Sequence, residues 1–105
     1  MSTLERVLDA MKATRGVEEV NLVTAPLPAG TTEDKALHQA RNLARLASLG
    51  DVLHVHVQGL RATSVFTIEG RPSVIMQGHA GALGAWRYTF ERHRALLHGL
   101  QEVAA

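Results

Sequence analysis

The spacing of apolar residues changes several times along this chain, and each change predicts a new element. Segments with apolar residues three or four apart predict amphipathic helices, and segments in which apolar and polar residues alternate predict strands. The predicted helices are Thr3–Thr14, Thr31–Leu49 and Gly81–Val103. The predicted strands are Val17–Ala25, Asp51–Gln58, Ala62–Glu69 and Ser73–Gly78. The sequence therefore predicts an α+β fold in the order α-β-α-β-β-β-α, whose last three strands form an antiparallel meander.

Helix-capping residues support the predicted boundaries. Ser2 and Glu5 have the spacing of a capping box at the start of the first helix. Thr31 or Thr32 can cap the second helix, since a threonine oxygen accepts a hydrogen bond from a free backbone N–H. Gly50 is expected to end that helix.

Composition limits the classes of protein that the chain can belong to. Its 105 residues, 46% hydrophobic and 20% charged, predict one folded domain spanning residues 1–105. The absence of cysteine excludes disulfides, thiolate catalysis and cysteine-bound metals, and weakly favours the cytoplasm. Neither a signal peptide nor an apolar run of about 18 residues is visible, so no membrane association is expected. The net charge of +1 gives no attraction to nucleic acid.

Two histidines are the strongest candidates for metal chemistry. His54 and His56 lie two residues apart in a predicted strand, so their side chains share one face. Neutral imidazoles bind zinc, but a site needs a third ligand, for which His79 or Asp51 could serve. Because that set is incomplete, a partly solvated sheet face is the favoured interpretation. A small metal-binding protein or enzyme using His54 and His56 is the alternative.

Motifs of enzymes are not found in the sequence. No Gly-x-Ser-x-Gly elbow occurs, and Ser64, Thr67 and Ser73 fall at ordinary strand positions. The glycine-rich segment 78–84 precedes a helix, where anions can bind, but it lacks the Gly-Lys-Ser/Thr of a phosphate loop. A sharp turn between strand and helix is the favoured interpretation. We expect no enzyme activity and no cofactor.

The C-terminal half resembles the Roadblock/dynein light chain family. The residues that carry the resemblance are Ser64–Glu69 and Ser73–Gln77, followed by Ala80–Arg87 with its Leu-Gly pair. Members of the family have two strands, a short segment that ends in such a pair, and a long C-terminal helix.

The N-terminal part is similar to the same family, with one departure. Leu4–Val23 has the family's helix, an Arg15-Gly16-Val17 step and the first strand. The family normally has a second strand before the middle helix, but here the proline-containing loop Pro26–Gly30 replaces it.

Similarity to this family implies a profilin/Roadblock-like three-layer α/β/α sandwich that forms a homodimer. In the family, the middle helices pair and the sheets join edge to edge through the strand that follows. An alanine-rich helix stripe and an open strand edge also suit such pairing. Carried over to this chain, the implied dimer interface is formed by Leu37, Ala40, Leu43, Ala44, Ala47, Leu53, Val55 and Val57. The implied function is that of a non-catalytic binding or regulatory module, for which the expected partner is a small Ras-like GTPase or another protein, since members of the family also act in motor complexes.

Overall fold

A computed structural model describes residues 3–69, 71–79 and 83–104. Within these ranges the helices are α1 (Thr3–Lys12), α2 (Thr32–Leu46) and α3 (Leu83–Ala104). The strands are β1 (Val17–Leu22), β2 (His54–Gln58), β3 (Ala62–Ile68) and β4 (Arg71–Gly78). The element order is the predicted one. Residues 1–2 and 80–82 lie outside the described residues. The predicted cap of the first helix at Ser2 and the predicted start of the last helix at Gly81 are therefore not described.

The described strands form one antiparallel sheet in the order β1-β4-β3-β2. The meander β2-β3-β4 is confirmed, and β1 joins it by pairing with β4. At the tight turn between β3 and β4, Ile68 pairs with Arg71 and Glu69 adopts a φ of 52°. Both the first and last strands of this order, β1 and β2, are edge strands.

Helices cover both faces of the sheet. Phe66 and Val74 point to one face, where they join a buried cluster with Met11 of α1 and with Trp86 and Phe90 of α3. The alternate residues point to the other face, which α2 covers. There, Gln77 Nε2 donates a hydrogen bond to Glu33 Oε1 at 3.1 Å. This is the three-layer α/β/α arrangement that the family resemblance implies.

Trp86 ties the last helix to the connection between α1 and β1. Its side chain is 1% exposed, and its indole Nε1–H donates to the Arg15 carbonyl oxygen at 3.0 Å. A buried indole N–H without a partner would lose its hydrogen bond to water, so this contact satisfies the group and fixes the helix position.

Helix α2 begins as predicted but ends early. Thr31 is its N-cap, and its side-chain oxygen accepts a hydrogen bond from the Asp34 N–H at 3.2 Å. The predicted stop at Gly50 is wrong, because α2 ends at Leu46 and Ser48 takes the left-handed conformation with a φ of 57°. The Leu49 N–H then donates back to the Ala44 carbonyl oxygen at 2.8 Å, which satisfies the helix end.

The first two strands are shorter than predicted. β1 ends at Leu22, and residues 23–31 form no strand, as the two prolines in this loop predict. β2 begins at His54, not Asp51. Just before it, the Thr67 N–H donates to the Leu53 carbonyl oxygen at 3.1 Å, and the Thr67 hydroxyl donates to the Val52 carbonyl oxygen.

Gly78 allows β4 to approach the start of β1. A Cβ atom at this position would lie 2.0 Å from the Gly16 carbonyl oxygen, which is backbone and cannot move aside alone. We expect Gly78→Ala to destabilise the fold by about 2–4 kcal/mol, as overpacking of a closed site does. Chemical denaturation measures this change. The matched control is Gly84→Ala, whose added methyl group meets nothing within 4 Å and should leave stability unchanged or slightly raised.

Candidate self-association surface

Strand β2 gives the sheet an open edge. It pairs with β3 in register from His54↔Phe66 to Gln58↔Ala62. No strand among the described residues pairs with its other side. Unpaired backbone N–H and C=O groups at such an edge can bind a strand of another molecule.

Helix α2 and the segment after it expose large apolar side chains near this edge. Leu43 is 68% exposed, Leu46 80%, Leu49 67% and Leu53 49%. We call these four residues the leucine patch. A groove of about 370 Å³ runs between α2 and the segment 49–54, and Leu43, Leu49 and Leu53 line it. Apolar residues grouped in this way on a surface mark an interaction site more often than single exposed leucines do.

The residues of the implied dimer interface fall into three groups in the structure. Leu37 and Ala44 are buried within their own chain, where they fix α2 on the sheet. Ala40 and Val55 are half-buried. The remaining members are exposed and face solvent: Leu43, Ala47, Leu53 and Val57.

Leu46 and Leu49 belong to the exposed surface but were not among the predicted interface residues. The predicted stripe follows Leu37 and the alanines of α2, of which Ala44 is buried together with Leu37. Leu43, Leu46 and Leu49 repeat every three residues, and that second apolar series was the signal in the sequence.

The predicted pair of histidines does share one face of the sheet, and that face is covered by α3. The ring of His54 stacks on Phe66 with centroids 4.1 Å apart and planes 8° apart. Phe66 in turn stacks on Phe90 at 4.4 Å. The ring of His56 meets Trp86 edge-on at 5.9 Å. Both imidazoles therefore pack against aromatic side chains of the core.

His56 also forms a short hydrogen bond with a serine. Its Nδ1 lies 2.6 Å from the Ser64 Oγ, a contact that resembles a nucleophile and its base. Ser64 is fully buried, however, so no substrate can reach its oxygen. On the other side of the ring, Nε2 lies 3.4 Å from the Gln58 Oε1, and an amide cannot stabilise an imidazolium as a carboxylate does. The pair joins β2 to β3 and satisfies a buried hydroxyl group.

Neither His79 nor Asp51 supplies a third metal ligand beside His54 and His56. His79 Nε2 instead lies 2.8 Å from the Glu18 Oε1, beside β1. Asp51 lines the groove below the leucine patch. In the described part of the chain, no group of three His, Cys, Asp or Glu residues is arranged to hold a metal ion.

The environment of His54 favours its neutral form. Burial is the largest cause, followed by the positive charges of His56 and Arg87, and together they lower the pKa of His54 from 6.5 to about 4. Its Nε2 is buried and has no hydrogen-bond partner among the described residues. A proton on this nitrogen would therefore be poorly solvated.

Comparison with models of known protein families and with curated proteins finds no match to this chain. The resemblance to the Roadblock family thus rests on the residues and the element order described above. In the ranges that the structure covers, no helix combines the length and apolarity required to cross a bilayer.

The low pKa of His54 predicts that acid destabilises the fold. The unfolded state binds a proton at His54 below pH 6.5 but the folded state does not until about pH 4, so stability falls as the pH drops through this window. The full shift corresponds to about 3.4 kcal/mol, and partial solvent access to the ring reduces this to about 1–2 kcal/mol. Urea denaturation at pH 7 and pH 4.5 measures the loss.

His54→Phe is the matched variant for this measurement, since phenylalanine can stack on Phe66 without titrating. The variant should lose less stability between the two pH values than the natural protein, by about 1–2 kcal/mol. Equal losses in both proteins would show that His54 does not carry the effect.

Proposed function

We propose that this protein is a non-catalytic homodimer that acts by presenting a surface to another protein. The observation that carries the proposal is the leucine patch beside the open edge of β2. Each feature alone is common on protein surfaces, but together they offer a second copy both backbone hydrogen bonds and apolar contacts. An interface of this kind fits a two-fold dimer, in which the same patch serves both subunits.

The chemistry of the residues around this surface supports a binding role. Its groove is lined by apolar side chains that include Leu43, Leu49 and Leu53, together with the polar residues Asp51, His54 and Arg87. Arg87 lines the same groove and forms no ion pair with another described residue. An apolar centre with a polar rim is the usual composition of a protein interface.

The resemblance to the Roadblock family supports the same proposal independently. It implies pairing through the middle helix and the following strand, which here are α2 and β2. The exposed residues of the implied interface belong to α2, to the segment that follows it and to β2.

The homodimer predicts that a charge in the leucine patch dissociates the subunits. Leu46→Glu should raise the dimer Kd at least about tenfold, because a charge placed in a proposed apolar contact removes more than ~1.4 kcal/mol of binding energy. Since Leu46 is 80% exposed in the single chain, its replacement should leave the fold intact. Light scattering over a concentration series measures the Kd.

Leu96→Glu is the matched control for Leu46→Glu. Leu96 is 45% exposed on α3, away from the leucine patch, so its replacement should leave the dimer Kd unchanged. Equal weakening by both substitutions, or a natural protein that is monomeric at micromolar concentration, would contradict the proposal.

A small Ras-like GTPase is the partner class that the family resemblance supports. We expect the natural dimer to bind such a GTPase in one nucleotide state more tightly than in the other. Calorimetry with purified GTPase, loaded with GDP or with a non-hydrolysable GTP analogue, tests this expectation. The Leu46→Glu variant shows whether the dimer is required, and absence of binding in both nucleotide states would remove this partner class.

A further inference from the structure

The groove beside the leucine patch is lined by residues from both helical layers of the sandwich. Leu43 of α2 and Arg87 of α3 both line it, although these two helices cover opposite faces of the sheet. The groove therefore passes around the sheet edge at the segment that leads into β2. Its volume of about 370 Å³ lies in the range that small ligands occupy in proteins, about 300–1,000 Å³.

Two side chains of opposite charge line this groove. Asp51 lies in the segment before β2, and Arg87 lies in the first turns of α3. Neither side chain forms an ion pair or a hydrogen bond with another described residue. Single charged side chains without a partner are common on protein surfaces, but here two of opposite sign line one groove whose other walls are largely apolar.

The charges of the groove select among possible ligands. His54 also lines the groove, but burial and the nearby positive charges lower its pKa to about 4, so it is neutral at pH 7. One negative and one positive group remain. A purely anionic ligand would be repelled by Asp51 and a purely cationic one by Arg87. A ligand that carries both charges on an apolar body suits the whole lining.

We propose that this groove binds a short apolar peptide by its two charged ends. The C-terminal carboxylate accepts hydrogen bonds from the Arg87 guanidinium, whose paired N–H donors match two carboxylate oxygens. The N-terminal ammonium donates to the Asp51 carboxylate. The apolar side chains of the peptide pack against Leu43, Leu49 and Leu53, which are exposed in the single chain.

The separation of the two charged residues favours a peptide over a free amino acid. Asp51 and Arg87 lie too far apart to form an ion pair with each other, although both line the same groove. A free α-amino acid carries both of its charges on groups attached to one carbon atom. Each further residue lengthens a chain by up to about 3.6 Å, so a dipeptide is the shortest peptide that separates the charges.

Calorimetric titration of the full chain with leucyl-leucine tests the proposal. Two blocked dipeptides each lack one charge: N-acetyl-leucyl-leucine has no ammonium group, and leucyl-leucine amide has no carboxylate. We expect leucyl-leucine to bind at least about tenfold more tightly than either blocked form and than free leucine, because each of these loses one charged contact. No measurable binding of leucyl-leucine, or equal binding of all three dipeptides, would overturn the proposal.

Two variants assign each end of the peptide to its residue. Asp51→Asn should make leucyl-leucine and its acetylated form bind equally, while the amide stays weaker. Arg87→Gln should make leucyl-leucine and the amide bind equally, while the acetylated form stays weaker. The matched control is Arg92→Gln, an exposed position of α3 that does not line the groove, and it should change none of these affinities. Equal weakening by Arg87→Gln and Arg92→Gln would overturn the assignment of the carboxylate.

The peptide site is tested separately from the proposed homodimer, which it goes beyond. Leu46 belongs to the leucine patch but does not line the groove. The Leu46→Glu variant should therefore bind leucyl-leucine within about threefold of the natural protein, whether or not it dimerises. A natural protein that is monomeric but binds the dipeptide would overturn the homodimer alone. Loss of dipeptide binding in Leu46→Glu would overturn a site contained in the single chain.

Discussion

The stack of three rings around Phe66 connects the elements on which the rest of the structure depends. Phe66 lies in β3 between the imidazole of His54 and the ring of Phe90, and it is 1% exposed. One side chain thus joins the edge strand, a central strand and the last helix. Offset stacking adds directional preference to the burial of apolar area, so the stack also restricts the position of each element. In a chain with 4% aromatic residues, few other contacts can do this.

The stack on Phe66 and the contact with Trp86 explain why His54 and His56 are structural residues packed against the core. Alternation along β2 could predict that His54 and His56 share a face, and the structure agrees. It could not predict that this face is covered by Phe66, Trp86 and Phe90, since those residues come from other elements. Burial holds the His54 imidazole, which stacks on Phe66, in its neutral form, and the stability of the fold becomes sensitive to acid as a result.

Much of the fold follows from local patterns, whereas the candidate surface depends on which side of α2 is covered. The strands β3 and β4 have strong alternation and appear close to their predicted bounds. The end of α2 was misplaced because Ser48, which is not a glycine, adopts the left-handed conformation that stops the helix. Leu46 and Leu49 were missed because an exposed apolar series and a buried one have the same spacing in a sequence. Only the packing of Leu37 against the sheet distinguishes them.

The contrast between the two edges of the sheet limits how far the protein can assemble. β1 carries Glu18 and Glu19, and a proline-containing loop follows it, so carboxylates and missing donors discourage addition of a strand there. β2 has no such protection. In the proposed dimer the β2 edges of the two subunits would pair with each other. Both outer edges of the joined sheet would then be β1 strands, which are protected. The dimer would then have no unprotected edge to which a further copy could add. It would not grow into a fibre, although no additional element covers its edges.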